Sequence, residues 1–378
     1  MKILIVATKP PWPPRDGGRL VLQTTVDALI AAGHEIALVA PVDPDAPAGL
    51  PAFATCVSAR RRSWLAAALD AVRHGQALTV ARHRSAEVAD AVAHLIDTWR
   101  PDVVHAEQLQ AFANVPARDV PLVLRMQNVE SSLWQQVAQA RRSARWLAPE
   151  ARRLRRDEAR AIATAARTVA LTARDAKALR EIGGRDVDAL APPFPTSLPA
   201  APPVRGEPAV ALSGSAGWWP NRQGTRWFLD GAMPHLRRLC PGVRVHVYGG
   251  ERVECEGVEW HRAPDDAQDA FPAGAIAAVP LLIGSGIRMR ILEAWARGLP
   301  VVATPVAAAG LDVVAGRELL VADTPAAFAQ AIAEAAADAA LRAQLVEAGR
   351  AYLAAHHDPL RQAHALAAAH ASARTLRA

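Results

Sequence analysis

The sequence predicts an α/β protein of two domains, because strand–helix–strand patterns occur on both sides of a proline-rich connector. Such patterns build parallel sheets, and 378 residues are more than one hydrophobic core usually serves. We expect a first domain over 1–190, a linker over 191–208 and a second domain over 209–355. The remaining residues, 356–378, are predicted to form a helix that packs back on the first domain.

In the first half, short apolar runs alternate with segments of helical periodicity. A strand at Ile3–Ala7 is followed by a long loop, Thr8–Gly18, and then by a helix over Arg19–Ala32. Gly33 ends that helix, because glycine accepts the left-handed conformation that often closes helices. The further elements predicted here are strands at Glu35–Ala40, Val103–His105 and Val120–Arg125, and a helix over Glu87–Trp99.

The connector separates the two halves because so much proline cannot continue a helix or fill a central strand. The elements predicted beyond it are strands at Ala209–Ser213, Arg244–Tyr248, Ile276–Ile283 and Val301–Ala303, and helices over Thr225–Leu239, Ile287–Arg297 and Pro325–Ala335. A last helical segment is expected to break near His356–Pro359. Two parallel sheets predict a cleft between their carboxyl ends, where ligands commonly bind.

The composition argues against several classes of protein. The formal net charge of +6 permits anionic partners, but two tyrosines and six phenylalanines supply no aromatic platform for nucleic acid. Three cysteines without CxxC spacing argue against a disulfide framework and a structural zinc site, and they favour the cytoplasm. No apolar stretch approaches the roughly 20 residues that cross a bilayer. No GxGxxG motif follows the first strand, which argues against a dinucleotide oxidoreductase.

The most informative segment of the chain is 280–305. Gly284, Ser285 and Gly286 form a predicted turn between a buried strand and the helix that starts at Ile287. A helix that opens on a glycine turn offers unpaired backbone N–H groups and the positive end of its dipole. The segment is therefore a candidate site for a phosphate or a diphosphate.

Charged residues in the same helix support a nucleotide. Arg288 and Arg290 supply positive charge for a diphosphate, and Glu293 could accept hydrogen bonds from ribose hydroxyls. A second interpretation remains open, in which Glu293 forms ion pairs with Arg290 and Arg297 on one helix face.

Four segments in a fixed order are similar to those of a known family. They read MKILIVATKPPWPPRDGGR, RMQNVESSLW, ALSGSAGWWPNRQGTRWF and PLLIGSGIRMRILEAWARGLPVVATPVAAAGLD. Over nearly its whole length the chain resembles the family-4-like glycosyltransferases of the GT-B fold, in their bacterial polysaccharide branch. The resemblance implies two Rossmann-like domains facing each other across a cleft. It implies transfer of a sugar from a nucleoside-diphosphate-sugar to an acceptor hydroxyl, with retained anomeric configuration, no cofactor and no required metal ion.

The resemblance also assigns roles to residues. The positions that it places at the donor are Gly17, Gly18, Ser213, Gly214, Gly284, Ser285, Gly286, Ile287 and Glu293. The glycines of the first domain would face the diphosphate and the acceptor, and Glu293 would hold the ribose.

The chain departs from the family pattern at three places. Ser285 stands where the family has the first glutamate of a pair, so backbone amides would contact the sugar instead. No cation follows the strand at Ala209–Ser213, and Arg288 and Arg290 are expected to stabilise the leaving diphosphate. Gln127 replaces a histidine near the transferred sugar; it can hydrogen-bond a hydroxyl but cannot shuttle a proton, and the leaving phosphate would act as the base.

Some interpretations stay open at this point. Asn128 and Glu130 could cap the helix that follows them instead of contacting a ligand. Gln127 and Ser285 permit a catalytically silent partner protein, and the two-domain fold also permits a sugar-nucleotide epimerase. A lack of paired acid and base residues in the first domain argues against the epimerase.

The expected acceptor is a glycan, a lipid-linked molecule or a small molecule. The basic cluster at 60–62 lies beside Trp64 and leads into an apolar helix with Leu69 and Val72. This pattern suits peripheral contact with an anionic inner membrane surface, although a solvated surface helix explains it as well. The arginine-rich segment 141–160 has the same ambiguity, because its carboxylates could pair within the helix.

Overall fold

The computed structural model describes residues 1–14, 16–42, 51–58, 62–140, 142–184, 186–214, 218–250, 252 and 254–375. Within these residues, the chain forms two parallel β-sheets packed against helices. The sequence prediction of an α/β fold with two sheets is confirmed.

The first sheet has seven strands in the described part of the chain, in the order β3-β2-β1-β4-β5-β6-β7. Its strands are β1 (Lys2–Val6), β2 (Glu35–Val42), β3 (Ala54–Ser58), β4 (Val103–Glu107), β5 (Leu122–Met126), β6 (Arg167–Ala170) and β7 (Val187–Ala189). The helices of this half are α1 (Gly17–Ala31), α2 (Trp64–His74), α3 (Leu78–His83), α4 (Ala86–Trp99), α5 (Leu109–Phe112), α6 (Glu130–Ala140), α7 (Ala148–Thr164) and α8 (Ala173–Ile182). Buried apolar side chains cover both faces of the central strands, as expected for a parallel sheet.

The second sheet has six described strands, in the order β10-β9-β8-β11-β12-β13. Its strands are β8 (Ala209–Ser213), β9 (Arg244–Tyr248), β10 (Val258–His261), β11 (Ile276–Val279), β12 (Val301–Ala303) and β13 (Leu320–Val321). The helices of this half are α9 (Trp219–Trp227), α10 (Met233–Leu239), α11 (Met289–Ala296), α12 (Pro305–Ala308), α13 (Pro325–Ala337), α14 (Ala339–His356) and α15 (Pro359–Thr375). The edge strand β10 has no counterpart among the sequence predictions.

The predicted helix over Thr225–Leu239 is one part of a longer helical run. The run starts with α9, continues through a π-helical segment at Phe228–Ala232 and ends with α10. Pro234 has no amide hydrogen for the carbonyl four residues earlier, which accounts for the wide turn before it. Pro220 lies in the first turn of α9, where a missing N–H costs nothing.

The structure also corrects the boundaries around the glycine turn. The strand predicted over Ile276–Ile283 ends at Val279, because Pro280 cannot donate to the ladder. The helix predicted to start at Ile287 begins at Met289 instead. Gly286 has a φ of +77°, and the backbone of Arg288 is still not helical.

The last helix, α15, packs against α1 and against strands β4, β5 and β6 of the first sheet. Leu366, Ala369 and Ala373 share a buried cluster with Val26 and Leu29 of α1. The chain thus crosses between the two sheets twice, once in the linker and once at the α14–α15 break.

Candidate functional site

A cavity of about 450 Å³ lies between the two sheets. Its walls come from segments that follow β1, β4 and β5 in the first sheet and β8 and β11 in the second. The lining includes Lys9, Asp16, Gly17, Gly18, Gln108, Gln127, Asn128, Trp218, Asn221, Gly284, Ser285, Ile287, Arg288, Met289 and Arg290. Carboxyl ends of parallel strands and domain interfaces are where ligands bind in such folds.

The amino-terminal ends of α1 and α11 meet at this cavity. A Cβ atom on Gly17, the first residue of α1, would lie 3.3 Å from Cβ of Met289, the first residue of α11. Helix amino termini carry partial positive charge, so two of them in contact favour a bound anion.

Lys9 and Asp16 add charges that the sequence prediction missed. Lys9 Nζ donates to both carboxylate oxygens of Asp16 at 2.7 Å, and the backbone N–H of Arg19 donates to Asp16 Oδ1 at 3.0 Å. Burial raises the pKa of Asp16, but Lys9 and Arg19 together lower it below its usual range. The signal for Asp16 in the sequence is its place as the residue before a helix, where aspartate commonly caps.

Arg288 and Arg290 concentrate positive charge in the cavity. Burial lowers the pKa of each guanidinium, and Arg288 contributes to the shift of Arg290, so that both pKa values are about 10. Both side chains therefore stay charged at neutral pH. Arg288 Nε is buried without a hydrogen-bond partner among the residues that the structure describes. A buried cation without full pairing is costly unless an anion completes the site.

Gly214 makes room for Arg290. A Cβ atom at Gly214 would lie 3.1 Å from both terminal nitrogens of the Arg290 guanidinium. The end of β8 and the start of α11 are thus brought together. Neither Ser213 nor Gly214 is among the residues that line the cavity itself.

The amides of the glycine turn bind side chains of the first domain. Asp175 in the first turn of α8 accepts from the Gly286 N–H at 3.0 Å and from Ser285 Oγ at 2.8 Å. Ser285 Oγ also accepts from the Val129 N–H at 2.9 Å, and the Gly284 N–H donates to Gln136 Oε1 at 3.2 Å. The expectation of unpaired amides is therefore wrong for Gly284 and Gly286 in this arrangement. We call these contacts the Asp175 clasp.

Glu293 does not line the cavity. Its Oε1 accepts from Arg297 Nε at 3.1 Å and from Arg297 Nη2 at 2.8 Å, and Arg297 directly follows the last residue of α11. Burial raises the pKa of Glu293, and Arg297 counteracts the shift. The pairing with Arg297 is the arrangement observed, and a contact between Glu293 and ribose stays a prediction.

Gln127 is held by a buried polar network. Its Nε2 donates to Glu107 Oε1 at 2.7 Å, and its Oε1 accepts from Gln108 Nε2 at 2.7 Å. Glu107 is bound in turn by Arg125 Nε at 2.8 Å and by His105 Nε2 at 3.0 Å. Burial raises the pKa of Glu107, but Arg125 and His105 lower it to about 2, so the carboxylate remains charged.

This network continues into the last helix. His105 Nδ1 lies 2.9 Å from Nε2 of His370 in α15, and both rings are buried. A Cβ atom on Gly18 would lie 3.0 Å from Gln127 Oε1, which places the start of α1 beside the same side chain. The sequence signal for Glu107 and Gln108 is their position at the carboxyl end of β4; nothing in the sequence points to His370.

Asn128 and Glu130 support the helix that follows them. Glu130 is the first residue of α6, and it hydrogen-bonds with Gln110, Asn128 and Trp134. Burial raises the pKa of Glu130 to about 7. The structural interpretation of Glu130 therefore agrees with its contacts, while Asn128 also lines the cavity.

The structural comparisons identify the class of fold. The chain is similar to sucrose-phosphate synthase from Thermosynechococcus elongatus, with 13% identity, coverage of 97% of this chain and 98% of the other, and a TM-score of 0.72. It is also similar to HepE from Anabaena in complex with UDP-glucose, with 15% identity, coverage of 97% of this chain and 98% of the other, and a TM-score of 0.64. A glycosyltransferase from Rickettsia africae is similar as well, with 10% identity, coverage of 98% of each chain and a TM-score of 0.61. The chain therefore has the GT-B fold, and the fold predicted from the sequence is confirmed.

The sequence comparison adds a narrower match. Residues 207–338 match the family described as Glycosyl transferases group 1. That segment holds the whole second sheet and the glycine turn. No curated protein matches the chain in sequence. Fold and family match together support a nucleotide-sugar glycosyltransferase, whereas the family-4-like branch and the retaining mode stay predictions.

Proposed function

We propose that this protein transfers a sugar from a nucleoside-diphosphate-sugar to an acceptor hydroxyl, with retention of configuration, in the synthesis of surface polysaccharide or glycoconjugate. The group 1 match over 207–338 and the GT-B fold support the reaction class. HepE, which shares the fold, is described in complexes with UDP, UDP-glucose and glucose.

The cationic cavity between the sheets carries this proposal. When the sugar leaves, its C1–O bond to the diphosphate breaks, and negative charge grows on the diphosphate. Arg288 and Arg290 and the amino termini of α1 and α11 surround the place where that charge would form. Such fixed positive groups stabilise a transition state without reorganisation, which makes a metal ion unnecessary in this proposal.

The proposal must also account for the proton that the acceptor hydroxyl loses. A bond forms between the acceptor oxygen and C1, and the acceptor hydroxyl gives its proton to the leaving phosphate. Gln127 holds no proton to exchange near neutral pH, so its amide would hydrogen-bond a sugar hydroxyl. The charged Glu107 fixes that amide by accepting from Nε2.

Donor binding and transfer test the proposal directly. Thermal shifts with uridine, guanosine, adenosine and thymidine diphosphate sugars should identify one donor that raises the melting temperature with concentration. With that donor, Arg288→Ala and Arg290→Ala should each lower kcat by about 10²–10³-fold. Arg118→Ala, an arginine on the surface of the first domain, should leave kcat unchanged. A double Arg288 and Arg290 variant with the wild-type rate would refute the role of these residues.

We also propose that α2 contacts an anionic membrane surface that presents the acceptor. Leu65, Leu69 and Val72 are 74%, 67% and 79% exposed, and they lie on a helix with Arg62 before it and Arg73 near its end. An apolar face flanked by arginines suits the interface of anionic lipids. Residues 60 and 61 of the predicted basic cluster lie outside the described residues. No described helix is both long and apolar enough to span a membrane.

Vesicle binding tests the membrane contact. Co-sedimentation with phosphatidylglycerol vesicles should exceed that with phosphatidylcholine vesicles and should weaken with salt. A Leu65→Gln, Leu69→Gln variant should lose most of the bound fraction, whereas Leu239→Gln, which changes an exposed leucine of α10, should not. Failure of the wild type to sediment at low salt would rule out the contact.

The Asp175 clasp favours a second candidate function, a catalytically silent partner protein. In that case the contacts of Asp175 and Gln136 with the turn would only hold the two domains together. A silent protein would neither bind nor hydrolyse any donor of the panel, although it would be folded by circular dichroism. Binding of one donor with slow hydrolysis would exclude this candidate.

A further inference from the structure

A cluster of two histidines and one carboxylate lies at the outer edge of the second sheet. His246 in β9 pairs in register with Glu259 in β10, and His261 follows two residues later on the same face of β10. One ligand atom of each side chain lies within 4.8 Å of those of the others. His246 Nδ1 is 3.0 Å from His261 Nε2 and 3.9 Å from Glu259 Oε2.

The proton of His246 is fixed by a backbone contact. Its Nε2 lies 2.8 Å from the carbonyl oxygen of Arg205. That carbonyl can only accept, so Nε2 carries a hydrogen, and in the neutral ring Nδ1 has the lone pair and faces His261 and Glu259. Histidine ligands of metal ions usually have their second nitrogen held in this way. The ring of His261 is oriented by stacking on Tyr248, with ring centroids 4.5 Å apart.

The spacing of the three side chains suits a small divalent ion. Zinc binds histidine nitrogen and carboxylate oxygen at about 2.0–2.1 Å in tetrahedral geometry, which sets neighbouring ligand atoms roughly 3.3–3.4 Å apart. The distances of 3.0 Å and 3.9 Å from His246 Nδ1 lie on either side of that value. Rotation of the partly exposed Glu259 side chain can shorten the 3.9 Å distance, and a small separation of the two rings can lengthen the 3.0 Å distance.

The cluster is open to solvent on one side. Glu259 and His261 line a surface cavity of about 710 Å³, so an ion can enter and a water molecule can complete its coordination. Arg205 Nε lies 3.3 Å from Glu259 Oε1, but this arginine is 82% exposed and can move away. None of the three residues lines the cavity between the sheets, so the cluster is separate from the proposed donor site.

We propose that His246, Glu259 and His261 bind one divalent transition-metal ion of the Zn²⁺ class. The ion replaces the hydrogen that the two rings now share, and His261 moves that hydrogen from Nε2 to Nδ1, so no proton is lost. The site uses imidazole and carboxylate ligands, not the cysteine pattern that the sequence lacks. It cross-links the four-residue edge strand β10 to β9, and it does not depend on the proposed sugar transfer.

Zinc binding to the untagged full chain tests this site. After chelator treatment and removal of the chelator, titration calorimetry with ZnCl₂ should give one equivalent bound, and elemental analysis after gel filtration should agree. Zinc should also raise the melting temperature. His261→Gln and Glu259→Gln, both at partly exposed positions, should each weaken zinc binding at least about tenfold while leaving the circular dichroism spectrum unchanged.

Two control variants make the result specific. His94→Gln alters an exposed histidine in α4, and Cys255→Ser removes the thiol that lines the same surface cavity; both should bind zinc as the wild type does. The proposal fails if the wild type binds no zinc. It also fails if His261→Gln binds zinc as tightly as the wild type, or if Cys255→Ser alone abolishes binding.

Discussion

At the scale of single residues, two carboxyl groups between α6 and α7 titrate near neutral pH. Glu158 accepts from the backbone N–H and from the hydroxyl of Ser131, and Glu130 begins α6 beside it. Burial raises the pKa of both, and Glu130 contributes to the shift of Glu158, so that both pKa values are about 7. Because the folded state favours the protonated form, these groups stabilise the fold at acidic pH and lose that effect as the pH rises.

We predict that the stabilisation contributed by Glu130 and Glu158 falls as pH rises from about 5 to about 8. The unfolded pKa of glutamate is near 4.5, so the stabilisation is complete below that value and is lost as pH passes the folded pKa near 7. For Glu158 the shift corresponds to at most about 3 kcal/mol. In urea unfolding at several pH values, the free energy of unfolding of the wild type relative to that of Glu158→Gln should fall as pH rises through this range. The exposed Glu347→Gln should behave as the wild type, and an unchanged slope in Glu158→Gln would contradict the prediction.

The sequence predicts the location of a single residue well where that residue follows a strand. Gln127, Gly284 and Arg288 come after β5 or β11, and the carboxyl ends of parallel strands converge, so their common location could be predicted. Asp175 could not, because it lies 110 residues from Ser285, and its contact depends on how the two domains face each other. The pairing of Glu293 with Arg297 was one of two interpretations that spacing alone left open.

At the scale of elements, the start of α8 competes with any ligand of the glycine turn. Asp175 belongs to the first turn of α8, where Thr172 fixes it by accepting from its N–H at 3.0 Å. Its carboxylate then binds the Gly286 amide and Ser285, as an oxygen of a phosphate could. Donor binding at these amides therefore requires the clasp to open.

We predict that Asp175→Ala binds the nucleoside diphosphate of the identified donor more tightly. Loss of a competing contact of about 1 kcal/mol corresponds to roughly a fivefold lower Kd. Titration calorimetry should detect the change, and the melting temperature of the ligand-free variant should fall. Asp186→Ala, which removes an exposed ion pair with Arg167, should leave Kd unaltered. A weaker affinity in Asp175→Ala would mean that Asp175 orders the turn for the ligand.

Element boundaries were predicted less accurately than element types. Apolar periodicity predicted α11, but it did not predict the first residue of this helix. Gly286 is left-handed, and Ile287 and Arg288 after it lie outside the helix, which begins at Met289. The edge strand β10 alternates Val258, Glu259, Trp260 and His261, and its polar positions weakened the strand signal. Those same polar positions form the proposed metal site.

At the scale of the whole molecule, α15 completes the first domain from the end of the chain. Leu366 is buried against α1 and the first sheet, whereas Leu360 at the start of the same helix is 50% exposed. Segment 356–378 was expected to pack on the first domain, and α15 contacts α1 and the first sheet. The chain returns to this sheet after it has formed the second one. Apolar periodicity predicts such a helix but cannot tell which sheet it covers.

We predict that Leu366→Ala lowers the free energy of unfolding by about 2–5 kcal/mol, because it leaves a cavity under α15. Leu360→Ala should change it by less than about 0.5 kcal/mol. Chemical denaturation followed by circular dichroism measures both. Equal effects of the two substitutions would show that α15 does not contribute to the core of the first domain.

The two crossings between the domains lie side by side. The Phe194 N–H donates to the His357 carbonyl at 2.8 Å, and His357 Nδ1 lies 2.8 Å from the Pro192 carbonyl oxygen. Because these two crossings are hydrogen-bonded to each other, they restrain the separation of the two halves at this edge. We therefore expect any relative displacement of the two sheets to be largest at the opposite edge of the cavity.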